Sequence, residues 1–270
     1  MTPNQFNEML WDFYAKNARD SLPWRQPEPN GSFSPYKILV SEIMLQQTQV
    51  TRVIEKYNQW LGVFPDFQTL AAAPFADVLQ VWLGLGYNRR AKFLHECAKQ
   101  VIERGELPKT QKELTQLKGI GPNTAGAIIA YAYNQPVVFI ETNIRTVFLH
   151  HFFADEIGVS DADLLEYIAA CIDKEHPREW YWALMDYGTY VKQTAGNASR
   201  NSKHYTKQST FNGSKRQLRG QILREVAANG SVSKAELVKR ITDERLSSAL
   251  KDLAREGLVS EKQGRFYAGE

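Results

Sequence analysis

The chain has 270 residues, 43% of them apolar and 23% charged, a composition typical of a globular protein that buries one large core or two smaller ones. Its net charge of +3 is too small to identify a partner, so the distribution of charge along the chain matters more. Two cysteines exclude a zinc ribbon or a four-cysteine iron–sulfur site built from this chain alone. No stretch approaches the roughly eighteen apolar residues of a membrane span, so no membrane partner is expected.

Helical periodicity predominates from the N-terminus to residue 192. Apolar residues recur three and four positions apart through this part, and the Pro- and Gly-rich stretch Leu22–Ser34 predicts a loop. No alternating strand pattern occurs before residue 210, so the predicted fold class is mainly α. The predicted helices are Asn4–Lys16, Tyr36–Thr48, Val50–Leu61, Pro65–Leu70, Phe75–Trp82, Asn88–Arg104, Gln111–Leu117, Thr124–Tyr133, Thr142–Phe152, Ala162–Ile172 and Arg178–Val191.

The composition changes after residue 192. Between Asp186 and Glu225 the sequence has no carboxylate but eight lysines and arginines, and small polar residues fill residues 193–213. This pattern predicts a basic linker whose Lys203 and Lys207, together with Arg216 just beyond it, contact nucleic-acid phosphates. A solvated flexible tether would have the same composition, so that alternative stays open.

Residues 214–270 predict a small module of their own. A capping box from Ser233 to Glu236 marks the start of its second helix. Three helices followed by a hairpin is the order of a winged helix-turn-helix domain, although protein-interaction modules share it. The predicted elements are helices Lys215–Ala228, Ala235–Ile241 and Arg245–Glu256 and strands Leu258–Ser260 and Arg265–Ala268, with Lys262-Gln263-Gly264 as the turn.

The strongest functional signal is the segment Leu117-Lys118-Gly119-Ile120-Gly121-Pro122-Asn123-Thr124-Ala125. Glycines at 119 and 121 allow a tight turn and a close approach of backbone N–H groups to a phosphate, and the helix that follows directs its positive end to the same place. Lys118, Asn123 and Thr124 flank these glycines and are predicted to contact DNA with them. A plain helix–helix turn is the competing interpretation of Gly-Ile-Gly.

Four further segments accompany the hairpin: Leu22-Pro23-Trp24-Arg25, the run LVSEIMLQQTQV at 39–50, Trp82-Leu83-Gly84-Leu85-Gly86-Tyr87 and Leu184-Met185-Asp186-Tyr187-Gly188. In combination with it they resemble the helix-hairpin-helix DNA glycosylases of the endonuclease III superfamily, and among these the MutY-type adenine glycosylases. The resemblance covers about residues 5 to 192. It implies a two-lobed helical core, which the winged helix-turn-helix predicted from residues 214–270 would follow.

The resemblance also implies a reaction, the hydrolysis of the N-glycosidic bond of a base turned out of the duplex. Glu42 would protonate the leaving base, and Glu141 would stabilise the cationic sugar that remains. Gln47 and Tyr87 would insert into the base stack at the vacated position. The residues implied to line the base pocket are Trp24, Arg25, Gln46 and Asp186.

Three features depart from the family pattern: Glu141, the missing cluster cysteines, and the C-terminal domain that reads 8-oxoguanine in MutY-type enzymes, whose place the predicted winged helix-turn-helix takes. Asn123 is a fourth position that constrains the reaction. Glu141 stands where the family has Asp, and the additional methylene moves the carboxylate by roughly 1 Å. Val191-Lys192-Gln193 stands where the first cluster cysteine would be, so neither an iron–sulfur cluster nor another metal or cofactor is expected. Asn123 occupies the position of the lysine with which bifunctional relatives form a Schiff base.

We therefore expect a monofunctional DNA glycosylase that removes adenine from a mismatch or a lesion pair. The expected partner is double-stranded DNA with a mispaired or damaged base, and the expected state is a cytoplasmic, nucleoid-associated monomer. The predicted domains are a glycosylase core at 1–192, a basic linker at 193–213 and the winged helix-turn-helix at 214–270. Two alternatives remain: a thymine or uracil mismatch glycosylase of the same fold, and a non-catalytic protein that binds damaged DNA.

Overall fold

The computed structural model describes residues 1–203, 205 and 210–269. Helices predominate, which confirms the predicted fold class. The α-helices are α1 (Pro3–Asn17), α2 (Pro35–Leu45), α3 (Val50–Val63), α4 (Phe67–Ala72), α5 (Phe75–Trp82), α6 (Arg89–Arg104), α7 (Gln111–Leu114), α8 (Pro122–Tyr133), α9 (Thr142–Phe152), α10 (Asp161–Cys171), α11 (Pro177–Thr194), α12 (Lys215–Asn229), α13 (Lys234–Arg240) and α14 (Leu246–Arg255). Short 3₁₀ turns occur at Pro23–Arg25 and Ala198–Asn201, and the strands are β1 (Ser231–Ser233), β2 (Val259–Lys262) and β3 (Arg265–Ala268).

Local sequence signals set several of the helix starts. Thr2, Ser160 and Ser233 each accept a hydrogen bond from the backbone three residues on, and the side chain at that position bonds back to the cap. These reciprocal bonds satisfy N–H groups that the first turn of a helix leaves without a partner. The capping box predicted at Ser233 and Glu236 is thus present, and it opens α13.

Several elements differ from the sequence prediction. The helix predicted over Gln111–Leu117 ends at Leu114, and Lys262, predicted for the hairpin turn, lies in β2. The helix predicted to reach Thr48 ends at Leu45, because the buried Arg90 guanidinium binds the carbonyl oxygens at the end of α2. Strand β1 was not predicted, since three residues are too short for a periodic signal. It pairs antiparallel with β3, which also pairs with β2, so the sheet order is β1-β3-β2.

Contacts divide the chain into two compact units. The first comprises Met1–Leu39, Pro108–Gln116 and Ile120–Lys207. Its core forms where α11 packs on α9, α8 and α1. Fully buried aromatic rings fill this core, among them Phe6, Phe148, Trp180 and Tyr181. Burying rings of this size supplies about 2–3 kcal/mol each toward folding.

The second unit comprises Val40–Leu107, Leu117–Gly119 and Gln208–Glu270. The indoles of Trp60 and Trp82 meet edge to face at its centre, with ring centroids 5.6 Å apart. Helix α12 packs on α14 and also on α5, and β3 contacts α5. The C-terminal residues therefore share this unit with α3 to α6. None of the helices in the described ranges is long and apolar enough to cross a membrane.

Candidate active site

Glu42 lies on α2, in the second unit, with its side chain partly exposed. Its neighbours Ser41, Ile43 and Met44 are buried, so the helix presents Glu42 on a face that packing leaves accessible. The backbone that follows α2 turns sharply, because Gln47 adopts a left-handed conformation with φ of +53°. A non-glycine residue rarely adopts this conformation unless the surrounding structure imposes it.

Arg90, on the first turn of α6, is the group that imposes this turn. Its Nη1 donates to the carbonyl oxygens of Ile43, Met44 and Gln46 at 2.7, 3.0 and 2.6 Å. Its Nη2 donates to Thr48 Oγ1 at 3.1 Å and to the Gly86 carbonyl at 3.0 Å. Burial lowers the pKa of this guanidinium to about 10, which leaves it charged at neutral pH. One side chain thus joins the end of α2 to the loop between α5 and α6.

Tyr87, in that loop, is the second non-glycine residue of this region with a left-handed backbone, with φ of +48°. The Arg90 guanidinium lies 5.5 Å from its ring centroid. Arg216 of α12 approaches the same ring, with its guanidinium 5.0 Å from the centroid and hydrogen bonded to the Tyr87 hydroxyl. The structure therefore brings Gln47, Tyr87 and Arg216, all predicted to contact DNA, into one region.

A cleft of about 340 Å³ lies at this region, within the second unit. Gln47, Tyr87 and Phe211 line it together with Arg52, Arg216 and Arg224, and its lining includes no carboxylate among the described residues. Arg216 also lies 5.5 Å from the Phe211 ring. A cleft with three guanidinium groups and two aromatic rings offers both charge for phosphates and flat surfaces for bases. Gln46 lies beside Gln47 on a second, wider depression of the same unit.

The hairpin between α7 and α8 places its two glycines in different conformations. Gly119 has φ of +78°, and a Cβ there would lie 2.6 Å from the Cβ of Phe93, so glycine is required at this position. Gly121 is extended, with φ of −89°, and a Cβ there would meet no atom within 4 Å. Lys118 is exposed, with Nζ 5.6 Å from the Phe93 ring, and its backbone N–H donates to Gln100 Oε1 at 2.8 Å.

Gly121 is the N-cap of α8, and Pro122 is its first residue. Asn123 follows with an exposed side chain whose Oδ1 accepts a hydrogen bond from the Ile140 N–H at 3.4 Å. Thr124 is buried, 7% exposed. Asn123 is thus connected to the residue that precedes Glu141.

Glu141 is the N-cap of α9, in the first unit. Burial raises the pKa of its carboxyl above the ordinary value, and the charges of Arg145 and Lys192 and a hydrogen bond from the Thr142 N–H oppose this shift. Arg145 is itself engaged with Asp161 through two hydrogen bonds of 2.9 and 2.8 Å. A carboxylate whose burial disfavours its charged form is suited to interact with a positive charge that develops during a reaction.

Arg25 and Asp186, both predicted for the base pocket, form a buried ion pair in the first unit. Two parallel bonds of 2.8 Å join them, and Arg19 donates to the same carboxylate through its backbone N–H at 2.9 Å and its Nε at 2.7 Å. The pair fixes the 3₁₀ turn Pro23–Arg25 to α11. Trp24, 7% exposed, lies on this turn. Of the basic residues predicted in the linker, Lys203 is exposed, and Lys207 lies outside the described residues.

Comparison with known proteins decides the family. Residues 40–169 match the profile of the HhH-GPD superfamily base excision DNA repair proteins. The adenine DNA glycosylase of Mycobacterium tuberculosis (strain CDC 1551 / Oshkosh) is 36% identical, and the alignment covers 96% of this chain and 91% of that protein. The chain belongs to the adenine DNA glycosylase family.

Solved structures agree with this glycosylase in fold. A thermostable thymine-DNA glycosylase matches with a TM-score of 0.59 at 23% identity, over 69% of this chain and 85% of that one. An endonuclease III–DNA complex matches with a TM-score of 0.59 at 19% identity, over 72% and 89%. These structures show the fold, and the family match together with the Mycobacterium tuberculosis relative makes the chain a DNA N-glycosylase of base excision repair with DNA as its partner.

An iron–sulfur cluster does not fit this glycosylase. Its two cysteines are buried on different helices, Cys97 on α6 and Cys171 on α10, and burial raises the pKa of their thiols to about 12 and about 11. Thiols of this kind are poor metal ligands at neutral pH. Within the described ranges no group of three or more potential ligands could hold a metal ion.

The sequence interpretation of the glycosylase missed Arg90. An arginine that opens a helix is usually a surface residue, so its chemical type and its position gave no reason to select it. The available signal was its location three residues after Tyr87, directly behind a loop with glycines at 84 and 86. Such a loop has carbonyl oxygens without regular partners, and a nearby guanidinium can bind several of them.

Proposed function

We propose that this protein is a monofunctional adenine DNA glycosylase that acts on duplex DNA with a mispaired or damaged base. The observation that supports this most directly is the 36% identity to the Mycobacterium tuberculosis enzyme, in an alignment that covers 96% of this chain. The local arrangement of both catalytic candidates is consistent with it. Glu42 is accessible on α2, and Glu141 is the N-cap residue of α9, where burial raises the pKa of its carboxyl.

In the proposed reaction Glu42 donates a proton to the adenine ring, which turns the base into a neutral leaving group. The bond between the base and C1′ then breaks, and the electron pair leaves with the base. Glu141 stabilises the positive charge left on the sugar, and a water molecule adds to C1′ and loses a proton. Asn123 carries no amine that could form a Schiff base, so the product is an intact strand with an abasic site.

The proposed DNA contacts divide into two classes. Gln47 and Tyr87 occupy the position of the extruded base. Arg90 holds the backbone turns of both residues in the free protein, so neither turn has to be ordered when DNA binds. Gly119, Gly121 and the N-terminus of α8 bind a phosphate together with Lys118, Asn123 and Thr124. At Gly121 the protein itself leaves room for a side chain, which supports the idea that a bound strand requires the space.

We also propose that residues 214–270 are a winged helix-turn-helix module, following a core at 1–192 and a linker at 193–213. The element order α12, β1, α13, α14, β2, β3 supports this, as does the turn at Gln263 and Gly264, whose φ angles of +52° and +71° suit a two-residue hairpin. The module adds Arg216 and Arg224 to the cleft. We expect the protein to act as a monomer in the compartment that contains the chromosome.

A panel of duplexes tests this function. Each duplex pairs adenine, thymine or uracil with one of the normal bases or with an oxidised guanine, and treatment with alkali after incubation converts abasic sites into breaks. We expect breaks in the adenine strand, none without alkali, and no protein–DNA adduct with sodium borohydride. Glu42→Gln and Glu141→Gln should each lower the single-turnover rate by about a hundredfold or more.

The alternatives give different results. Breaks only opposite guanine in thymine or uracil strands would indicate the mismatch glycosylase of the same fold. Tight binding to damaged duplexes without a break in any strand would indicate a non-catalytic binding protein. A borohydride adduct would contradict the monofunctional reaction.

A further inference from the structure

The last turn of α11 and the chain after it contact the first turn of α9, which begins at the residue after Glu141. The first of these two segments is the last turn of α11. Lys192 Nζ donates to Asn143 Oδ1 at 2.5 Å, and Asn143 Nδ2 donates to the Met185 carbonyl at 3.1 Å. The Asn143 side chain is thus fixed at both ends, two residues after Glu141.

The second segment is the 3₁₀ turn Ala198–Asn201. Ser199 is 2% exposed, and its Oγ lies 2.6 Å from Thr146 Oγ1 and 3.3 Å from the Thr142 carbonyl. Thr146 Oγ1 also donates to the Thr142 carbonyl, at 2.8 Å. Buried hydroxyl networks of this kind are costly to disturb, because each member that loses its partner is left desolvated.

The backbone that follows Ser199 is attached as well. The Gly158 N–H donates to the Asn201 carbonyl at 2.7 Å, and the Lys203 N–H donates to the Val159 carbonyl at 3.1 Å. Helix α11 approaches α9 so closely that a Cβ at Gly188 would lie 2.6 Å from the Asn143 carbonyl oxygen. The first turn of α9 is therefore held by α11 and by the chain after it.

Lys192 lies in the segment 191–193, where the family resemblance would place the first cluster cysteine, and its ammonium attracts the Glu141 carboxylate. The groups that act on Glu141 are Lys192 from α11, Arg145 from α9 and the Thr142 N–H, and Asp161 of α10 neutralises much of the charge of Arg145. Unlike Arg145, Lys192 forms no ion pair with a carboxylate among the described residues.

We propose that Lys192 and Ser199 are positioning residues, which form a metal-free brace that fixes the first turn of α9 and with it the Glu141 carboxylate. The brace contains no cysteine. Lys192 supplies a charge and a hydrogen bond, and Ser199 supplies the buried hydroxyl contacts. The catalytic meaning of this brace rests on the proposed role of Glu141, but its two physical effects do not.

The electrostatic effect is measured on the free protein. In Lys192→Met the apparent pKa of Glu141, followed by ¹³C NMR of labelled glutamate and assigned by its loss in Glu141→Gln, should rise above the wild-type value. Lys192→Arg should restore it, and Lys174→Met, which removes the same charge from an exposed position, should leave it unchanged. An unaltered Glu141 pKa in Lys192→Met would overturn the role of Lys192.

The packing effect is measured by amide hydrogen exchange. In Ser199→Ala the amides of the first turn of α9 should exchange about tenfold faster, which corresponds to the loss of about one net hydrogen bond. Unchanged exchange would overturn the role of Ser199.

For the reaction, Lys192→Met should move the acidic limb of the excision rate to higher pH, because Glu141 must be ionised. If the proposed function is wrong, the wild-type protein will excise no base. The Glu141 pKa and the hydrogen-exchange rates can still be measured in that case, and they test the brace independently.

Discussion

At the scale of single residues, the two carboxylates of this glycosylase lie in contrasting positions. Glu42 is carried on a helix whose neighbouring side chains are buried, whereas Glu141 caps a helix and has a raised pKa. A raised pKa means that the folded protein favours the protonated form more strongly than the unfolded chain does. Ionisation of Glu141 therefore costs folding free energy, as is common for residues kept for chemistry.

Glu141→Gln should accordingly raise the free energy of unfolding at neutral pH. The folded pKa lies above the unfolded value, so the wild type loses stability as the pH rises from about the ordinary carboxyl pKa through the folded one. The difference between variant and wild type should therefore grow from acid to neutral pH. Urea unfolding at pH 4 to 8 measures it, and a variant less stable than the wild type at every pH would contradict the interpretation.

Arg90→Met should be among the most damaging single substitutions outside the catalytic pair. It leaves the carbonyl oxygens of Ile43, Met44 and Gln46 without their donor, at a cost of about 3 kcal/mol or more. Because the turns at Gln47 and Tyr87 lose their common support, excision should fall by about a hundredfold. Denaturant unfolding and single-turnover kinetics measure the two effects. Arg89→Met, at a more exposed neighbouring side chain, should change stability by only about 0.5 kcal/mol.

At the scale of elements, the two glycines of the helix-hairpin-helix, Gly119 and Gly121, have different roles. Gly119 serves the fold, since its left-handed backbone and its contact with Phe93 exclude a side chain. Gly121 has an ordinary backbone and open space around it, so the fold excludes no side chain there and only the modest preference of an N-cap for glycine over alanine remains. A stricter need for glycine would come from the proposed DNA strand.

Gly119→Ala should therefore lower stability by about 1–3 kcal/mol, through a strained backbone and the displacement of Phe93. Gly121→Ala should lose only about 0.5–1 kcal/mol of stability, the cost of alanine at an N-cap, and yet bind duplex DNA more weakly. Thermal unfolding and fluorescence anisotropy with a labelled duplex separate the two quantities. Gly121→Ala with wild-type affinity would show that no phosphate approaches this glycine.

Helices and their order followed from the sequence because periodicity and capping are local properties. Helices α5 and α9 occur at the predicted residues, and the box at Ser233 caps α13 as expected. The end of α2 did not follow, since a guanidinium 44 residues away from Gln46 determines it. For the site, motifs selected residues, but motifs do not reveal that Arg25 and Asp186 bind each other or that Lys192 reaches Asn143. Such facts depend on contacts between distant parts of the chain.

At the scale of the whole molecule, the distribution of charge matters more than the net charge of +3. Many cations of the C-terminal residues are engaged with acids, as Lys215 is with Asp252 and Arg219 is with Glu256. Arg224, by contrast, lines the cleft beside Tyr87, and that lining includes no carboxylate among the described residues. We therefore expect the cleft, rather than the general surface of the module, to supply the salt-dependent part of DNA binding.

Arg224→Ala tests this expectation. If Arg224 contacts one phosphate, its loss should make the plot of log K against log salt concentration less steep by about 0.9, whatever the sequence of the duplex. Anisotropy titrations between about 50 and 200 mM salt measure the slope. Arg240→Ala is the matched control, because it removes the same charge from a side chain that binds Glu225 and is not among the residues that line the cleft. Equal slopes for all three proteins would mean that Arg224 contacts no phosphate, and would favour the alternative in which the C-terminal module contacts protein.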